Sequence, residues 1–93
     1  MNAANDPDAG SPLVFPCSFP IKVMGRHEGD FEALVVAMIS VHTGALPEGR
    51  VRSRQSSSGR FLSVTVTIDA QSRTQLDAVY RSLTACEQVL FVL

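Results

Sequence analysis

At 93 residues, 45% of them hydrophobic, the chain has material for one small core and none for a second domain. Nine Asp and Glu against eight Lys and Arg leave a formal net charge of −1, which excludes a global field for nucleic acid or an anionic membrane. No cationic segment followed by an apolar one opens the sequence, and the apolar run Leu34 to Ile39 falls far short of the roughly 20 residues of a membrane helix. A soluble, cytoplasmic protein with no membrane partner is expected.

Residues 1–14 mix Asn, Asp, Ala, Gly and Pro with almost nothing to bury, so they cannot offset the entropy of becoming ordered. A flexible tail is expected there, followed by one domain over 15–93. In CSFPIKVMG, Phe19, Ile21 and Val23 alternate with Ser18, Pro20, Lys22 and Met24, the period of a half-buried strand. Pro20 lacks a ladder donor and is expected near the strand's start or at a bulge. After the loop GRHEGD, the residues Phe31, Leu34, Val35, Met38 and Val41 or His42 recur at spacings of three and four, the apolar stripe of a helix capped by Asp30 or Gly29. TGALPEG ends that pattern, and RVRSRQ predicts a short, basic second strand.

SSSG has turn composition, and beyond it Leu62, Val64, Val66 and Ile68 alternate strictly with Ser63, Thr65, Thr67 and Asp69, giving a third strand with one apolar and one hydroxyl-bearing face. Ser72 with Gln75 forms a capping box, and Leu76, Val79, Tyr80 and Leu83 make the stripe of a second helix. EQVLFVL, apolar on both faces, closes the chain as a strand. The order strand, helix, strand, strand, helix, strand is the α+β, ferredoxin-like split βαβ arrangement, a four-stranded antiparallel sheet with both helices on one face. Its strands are expected in the spatial order fourth, first, third, second. The core is expected from Phe19, Ile21, Val23, Leu34, Val35, Met38, Leu62, Val64, Val66, Ile68, Leu76, Val79, Leu83 and two residues of the last strand. Cys17 and Cys86 then lie at opposite ends of a strand pair as free thiols, and with only His27 and His42 to join them no metal site is expected.

FPCSFPIKVMG at 15–25, SSSGRFLSVTVTIDA at 56–70, TQLDAVYRSL at 74–83 and the ending VL together resemble the YbeD-like family of small bacterial proteins of unknown function. The resemblance implies an ACT-like variant of the ferredoxin fold, similar to regulatory domains that bind amino acids and control metabolic enzymes. It also implies a link to lipoate synthesis, beside whose functions members are often encoded. In ACT-like domains the loop after the first strand holds a small effector.

Three features carry candidate function. In the loop MGRHEGD, Gly25 and Gly29 leave backbone N–H groups near a helix N-terminus and Arg26 adds charge, a setting for a small acidic metabolite; Glu28 and Asp30 compete for those donors, and the simpler reading is a turn whose Asp30 caps the helix. Arg50, Arg52, Arg54 and Arg60 form a basic cluster, with residues 50, 52 and 54 on one face of an extended segment. It suits an acidic partner protein or phosphates, and the simpler reading is protection of an edge strand against unwanted pairing. The third is the sheet face free of helices, bearing Lys22, Met24, Phe61, Ser63, Thr65, Thr67 and part of the apolar final strand, whose exposure there would suit a homodimer contact through the face or an edge. Phe61 lacks a second aromatic two residues on, so RNA binding of the stacking kind is not expected.

No G-x-S-x-G, H-E-x-x-H or Walker pattern occurs, and Ser56, Ser57 and Ser58 have no base assigned to them. His42 ends the first helix, where its charge suits the dipole, and His27 is expected in solvent. The sequence therefore points to a noncatalytic regulatory or binding module without cofactor, with a structural protein–protein interaction subunit as the alternative and an RNA-binding domain less favoured.

Overall fold

A computed structural model describes residues 13–93. The elements are β1 (Cys17–Arg26), α1 (Phe31–Thr43), β2 (Val51–Gln55), β3 (Phe61–Ala70), α2 (Arg73–Thr84) and β4 (Val89–Val92). The strands form one antiparallel sheet in the order β2-β3-β1-β4, the predicted topology. Of the tail expected over 1–14, residues 1–12 lie outside the described residues; Leu13 packs on the edge of the core.

The centre of the sheet is the pairing of β1 with β3, unbroken from Cys17 opposite Ala70 to Arg26 opposite Phe61. Because side chains alternate across a strand, this register sends Ile21, Val23, Leu62, Val64, Val66 and Ile68 to one face, where all are buried. Both helices pack side by side over that face. α2 contributes Leu76, Val79 and Leu83 as expected, and α1 contributes Phe31, Val35 and Ile39.

The α1 contribution corrects the expected stripe. Ile39 is fully buried, Leu34 and Met38 are only half-buried, and Val41 is 79% exposed. The cause lies in the composition of α1: from Phe31 to Val41 it is apolar nearly all round, so spacing alone leaves its rotation undetermined. The row Phe31, Val35, Ile39, each four residues on from the last, faces the sheet. Phe19, also expected in the core, is half-buried at its margin.

Local signals fix the helix ends. Asp30 accepts from the Ala33 N–H at 3.0 Å, and Ser72 Oγ accepts from Gln75 N–H at 3.1 Å. The return arm of the capping box is displaced by one residue, with Gln75 Oε1 accepting from Gln71 N–H at 2.8 Å. Gln75 Nε2 donates to the His42 carbonyl at 3.1 Å, and His42 Nε2 lies 2.7 Å from Ser82 Oγ. These contacts tie the two helices together.

Pro20 is the fourth residue of β1, near the start of the strand. The phase of the ladder explains it. His27 N–H donates to Arg60 O, so odd residues of β1 bond toward β3, while Lys22 exchanges both backbone bonds with Leu93, so even residues bond toward β4. Pro20 thus directs its missing donor past the reach of β4, where β1 is locally an edge. Further along, the pairing with β4 shifts between Met24 and Gly25, Phe91 facing Met24 and Val89 facing Gly25. One extra residue, Leu90, is accommodated there as a bulge.

Gly25 is where three elements meet. A Cβ at this position would overlap the ring of Phe31 and the carbonyl oxygen of Gln88. Gly25→Ala is expected to cost about 1–3 kcal/mol through overpacking, Ile39→Ala about 2–5 kcal/mol, and Val41→Ala no more than about 0.5 kcal/mol, each read from the midpoint of urea denaturation. A Val41 variant as costly as the Ile39 variant would contradict the rotation assigned to α1.

Tyr80, the chain's single tyrosine, is half-buried, and its hydroxyl donates to the Leu93 carbonyl at 3.4 Å. Desolvation by burial raises its pKa above the ordinary 10.0. Burial favours the neutral phenol, so this contribution to stability is complete below pH 10 and is lost as pH rises through the folded-state pKa. The phenolate absorbance is expected to titrate at higher pH in buffer than in urea, and Tyr80→Phe to flatten the fall in stability above pH 10.

Candidate functional site

Among the described residues, nothing covers the face of the sheet opposite the helices. In register across it lie Arg52, Thr65 and Lys22 in one row and Arg54, Ser63, Met24 and Phe91 in the next. Arg50 joins the same edge, its carbonyl accepting from Thr67 N–H at 2.9 Å. Three arginines therefore stand on alternate residues at the edge of the sheet, about 6.7 Å apart along the strand. A stripe of hydroxyls on β3 runs beside them, and beyond it lie the Lys22 amine and the exposed apolar side chains of Phe91 and Leu93.

The arginines differ in what they hold. Arg50 makes a two-pronged ion pair with Asp69, at 3.3 and 3.4 Å. Arg52 and Arg54 have no carboxylate partner among the described residues, and both are exposed. With Lys22 and Arg26, five of the chain's eight basic residues face this side. Asp69 is the acidic residue among them. Asp30, Glu32 and Asp77 belong to the helical side, while Glu28 and Glu87 line a cavity with Arg26 at the end of the sheet. Arg60 departs from the expected cluster. It lies at the end of the sheet and lines a shallow cavity with Arg26, His27, Glu28 and Phe61.

The β1–α1 loop does not assemble the expected constellation. Gly25 lies inside β1 as a packing glycine, and Arg26 points to the uncovered face. Gly29, with φ of +57°, makes the turn into α1 in a conformation that favours glycine. Asp30 already occupies a donor at the helix start. Gly29 and Asp30 line a different cavity, of about 530 Å³, with Glu32, Ser53, Gln55 and Leu62. Glu32 accepts a hydrogen bond from Ser53 Oγ across it. Two carboxylates on that wall oppose the capture of an acid.

His27 is exposed, as expected, but not idle. Its Nδ1 lies 3.2 Å from the Gly59 carbonyl and its N–H donates to Arg60 O at 2.7 Å, joining the loop to the β2–β3 turn. The serines are engaged in that turn: Ser56 Oγ accepts from Phe61 N–H at 3.1 Å, and Ser58 Oγ from Arg60 N–H at 3.2 Å. Cys17 and Cys86 are free and half-buried. Among the described residues no three His, Cys, Asp or Glu side chains group to hold a metal ion, and no helix is long and apolar enough to cross a membrane.

The sheet order and the two helices on one face define a ferredoxin-like α+β domain. Residues 11–93 match the family model described as a protein of unknown function, DUF493, and the chain belongs to that family, in keeping with the YbeD-like resemblance of its sequence. It is 42% identical over 97 residues to the UPF0250 protein RSc0326 of Ralstonia nicotianae, covering all of both chains. It is 46% identical over 79 residues to the UPF0250 protein of Chromobacterium violaceum, covering 85% of this chain and 89% of the relative. The fold is also that of protein HP0495 from H. pylori, known from a solution structure. The TM-score is 0.74 at 11% identity, over 100% of this chain and 94% of that one.

Proposed function

We propose that this domain is a noncatalytic binding module that takes an acidic segment of a partner protein on its arginine-bearing sheet face and regulates that partner by the contact. The observation that carries the reading is the pair Arg52 and Arg54, exposed, free of carboxylates and in register with Lys22 and Met24 on a face that no helix covers. Guanidinium groups lose little on meeting carboxylates and hold them in a planar fork. Met24, Phe61 and Phe91 beside them supply apolar area that a charged contact alone lacks. The partner as a metabolic enzyme, in an ACT-like regulatory role linked to lipoate synthesis, rests on the family resemblance. Sensing of a free small acid at Gly25, Arg26, Gly29 and Asp30 is the weaker form of the idea, because the nearby cavity is walled by Asp30 and Glu32.

Titration of the ¹⁵N-labelled chain with short acidic peptides is expected to shift Arg52, Arg54, Ser63 and Thr65 together. Binding should weaken with added salt, and the double variant Arg52→Glu, Arg54→Glu should weaken it by about tenfold or more, as charge-assisted hydrogen bonds are lost. Unchanged affinity in that variant, or shifts confined to Gly29 and Asp30, would overturn the proposal.

A further inference from the structure

Among the described residues β2 lies at the edge of the sheet, with β3 on one side and no strand on the other. The phase of its ladder is set by two bonds, Thr67 N–H to Arg50 O and Ser56 N–H to Phe61 O. In an antiparallel pair the bonded residues recur every second position, so Arg50, Arg52 and Arg54 direct their backbone groups at β3. Val51, Ser53 and Gln55 direct theirs outward. The edge therefore offers three N–H and three C=O groups, all from residues between or beside the arginines.

We propose that β2 is a strand-addition edge: an extended partner segment with acidic residues at alternate positions pairs with the outward backbone of Val51, Ser53 and Gln55 and sets its carboxylates beside Arg52 and Arg54. The inference rests on the acidic-partner reading above and adds to it a mode of binding and a sequence pattern.

Three observations support it. Directly opposed residues of neighbouring strands stand about 4.5–5.5 Å apart, so a strand added here brings alternate side chains level with the arginines on the uncovered face. The intervening side chains of that strand fall on the helical side, where Ser53 is bonded to the Glu32 carboxylate; acid is disfavoured there, and the preferred pattern is alternating. Finally, a second copy of this chain makes a poor occupant. With the odd residues of both copies bonded, every antiparallel register that overlaps three or more residues of β2 with β2 places even residue opposite even residue and opposes arginine to arginine. The same charges that repel a copy attract an acidic strand, so one device supplies both selection and rejection. β4, the other edge, is shorter and bulged beside its partner, a poorer template.

The test compares two peptides of one composition, glutamate alternating with threonine and the same residues in blocks, against the full chain. The alternating peptide is expected to bind more tightly and to slow amide exchange at Val51, Ser53 and Gln55 by about tenfold or more at saturation. Ser53→Pro removes an outward donor at a position where an edge strand tolerates proline, and should weaken binding about fivefold, the loss of one hydrogen bond. Ser53→Ala, which keeps the N–H, should change it less than about twofold. Unchanged β1 and β3 resonances check that the proline variant folds; if it does not, the exchange data decide. Binding that shifts the arginine face without protecting those amides, and is indifferent to Ser53→Pro, would overturn strand addition while leaving the acidic-partner reading intact. Failure of both peptides to bind would overturn both. Preference for a single-stranded oligonucleotide over either peptide would also overturn both.

Discussion

The register of β1 against β3 governs the molecule. It runs the full length of both strands, and a slip of one residue would exchange the buried set for the exposed one. Ile21, Val23, Val64 and Val66 would then meet solvent, while Lys22 and the threonines would meet α1 and α2. The alternation of large β-branched residues with hydroxyls on β3 makes that slip prohibitively costly. Everything else is hung on this pair: β2 on one side, β4 on the other, and the helices over the apolar face.

That constraint also decides where charge can go. Once one face of the sheet is committed to the helices, polar residues at even positions of β1 and β2 are committed to the other, and the arginines of β2 inherit their alignment from β3. A chain with almost no net charge thereby acquires a strongly cationic face. The partition arises from strand parity, not from composition, which is why a whole-chain balance says so little about it.

Much of this was legible in the sequence because strands of period two have only one way to face. The topology, the third strand, the Ser72 cap and the alignment of Arg50, Arg52 and Arg54 all follow from alternation and turn chemistry. The rotation of α1 was not, because a helix apolar on nearly every side carries no preferred stripe; packing on the sheet selected Ile39 over Val41. Nor was the dispersal of the loop residues. Gly25 looks like a loop glycine beside Arg26, yet what requires it is the ring of Phe31, the first residue of α1, which leaves no room for a Cβ there. Arg60 was grouped with its neighbours by sequence proximity, whereas the turn at Gly59 carries it round to the end of the sheet beside Arg26 and Glu28.

The contacts of His27 have a mechanical consequence. Thirty-two residues separate it from Gly59, but in space the β1–α1 loop and the β2–β3 hairpin are one riveted corner, fastened through a backbone bond and an imidazole. The turn that follows the arginine-bearing strand and the loop that leads to the cavity wall of Gly29 and Asp30 are thus neighbours in space, joined at this corner by two bonds.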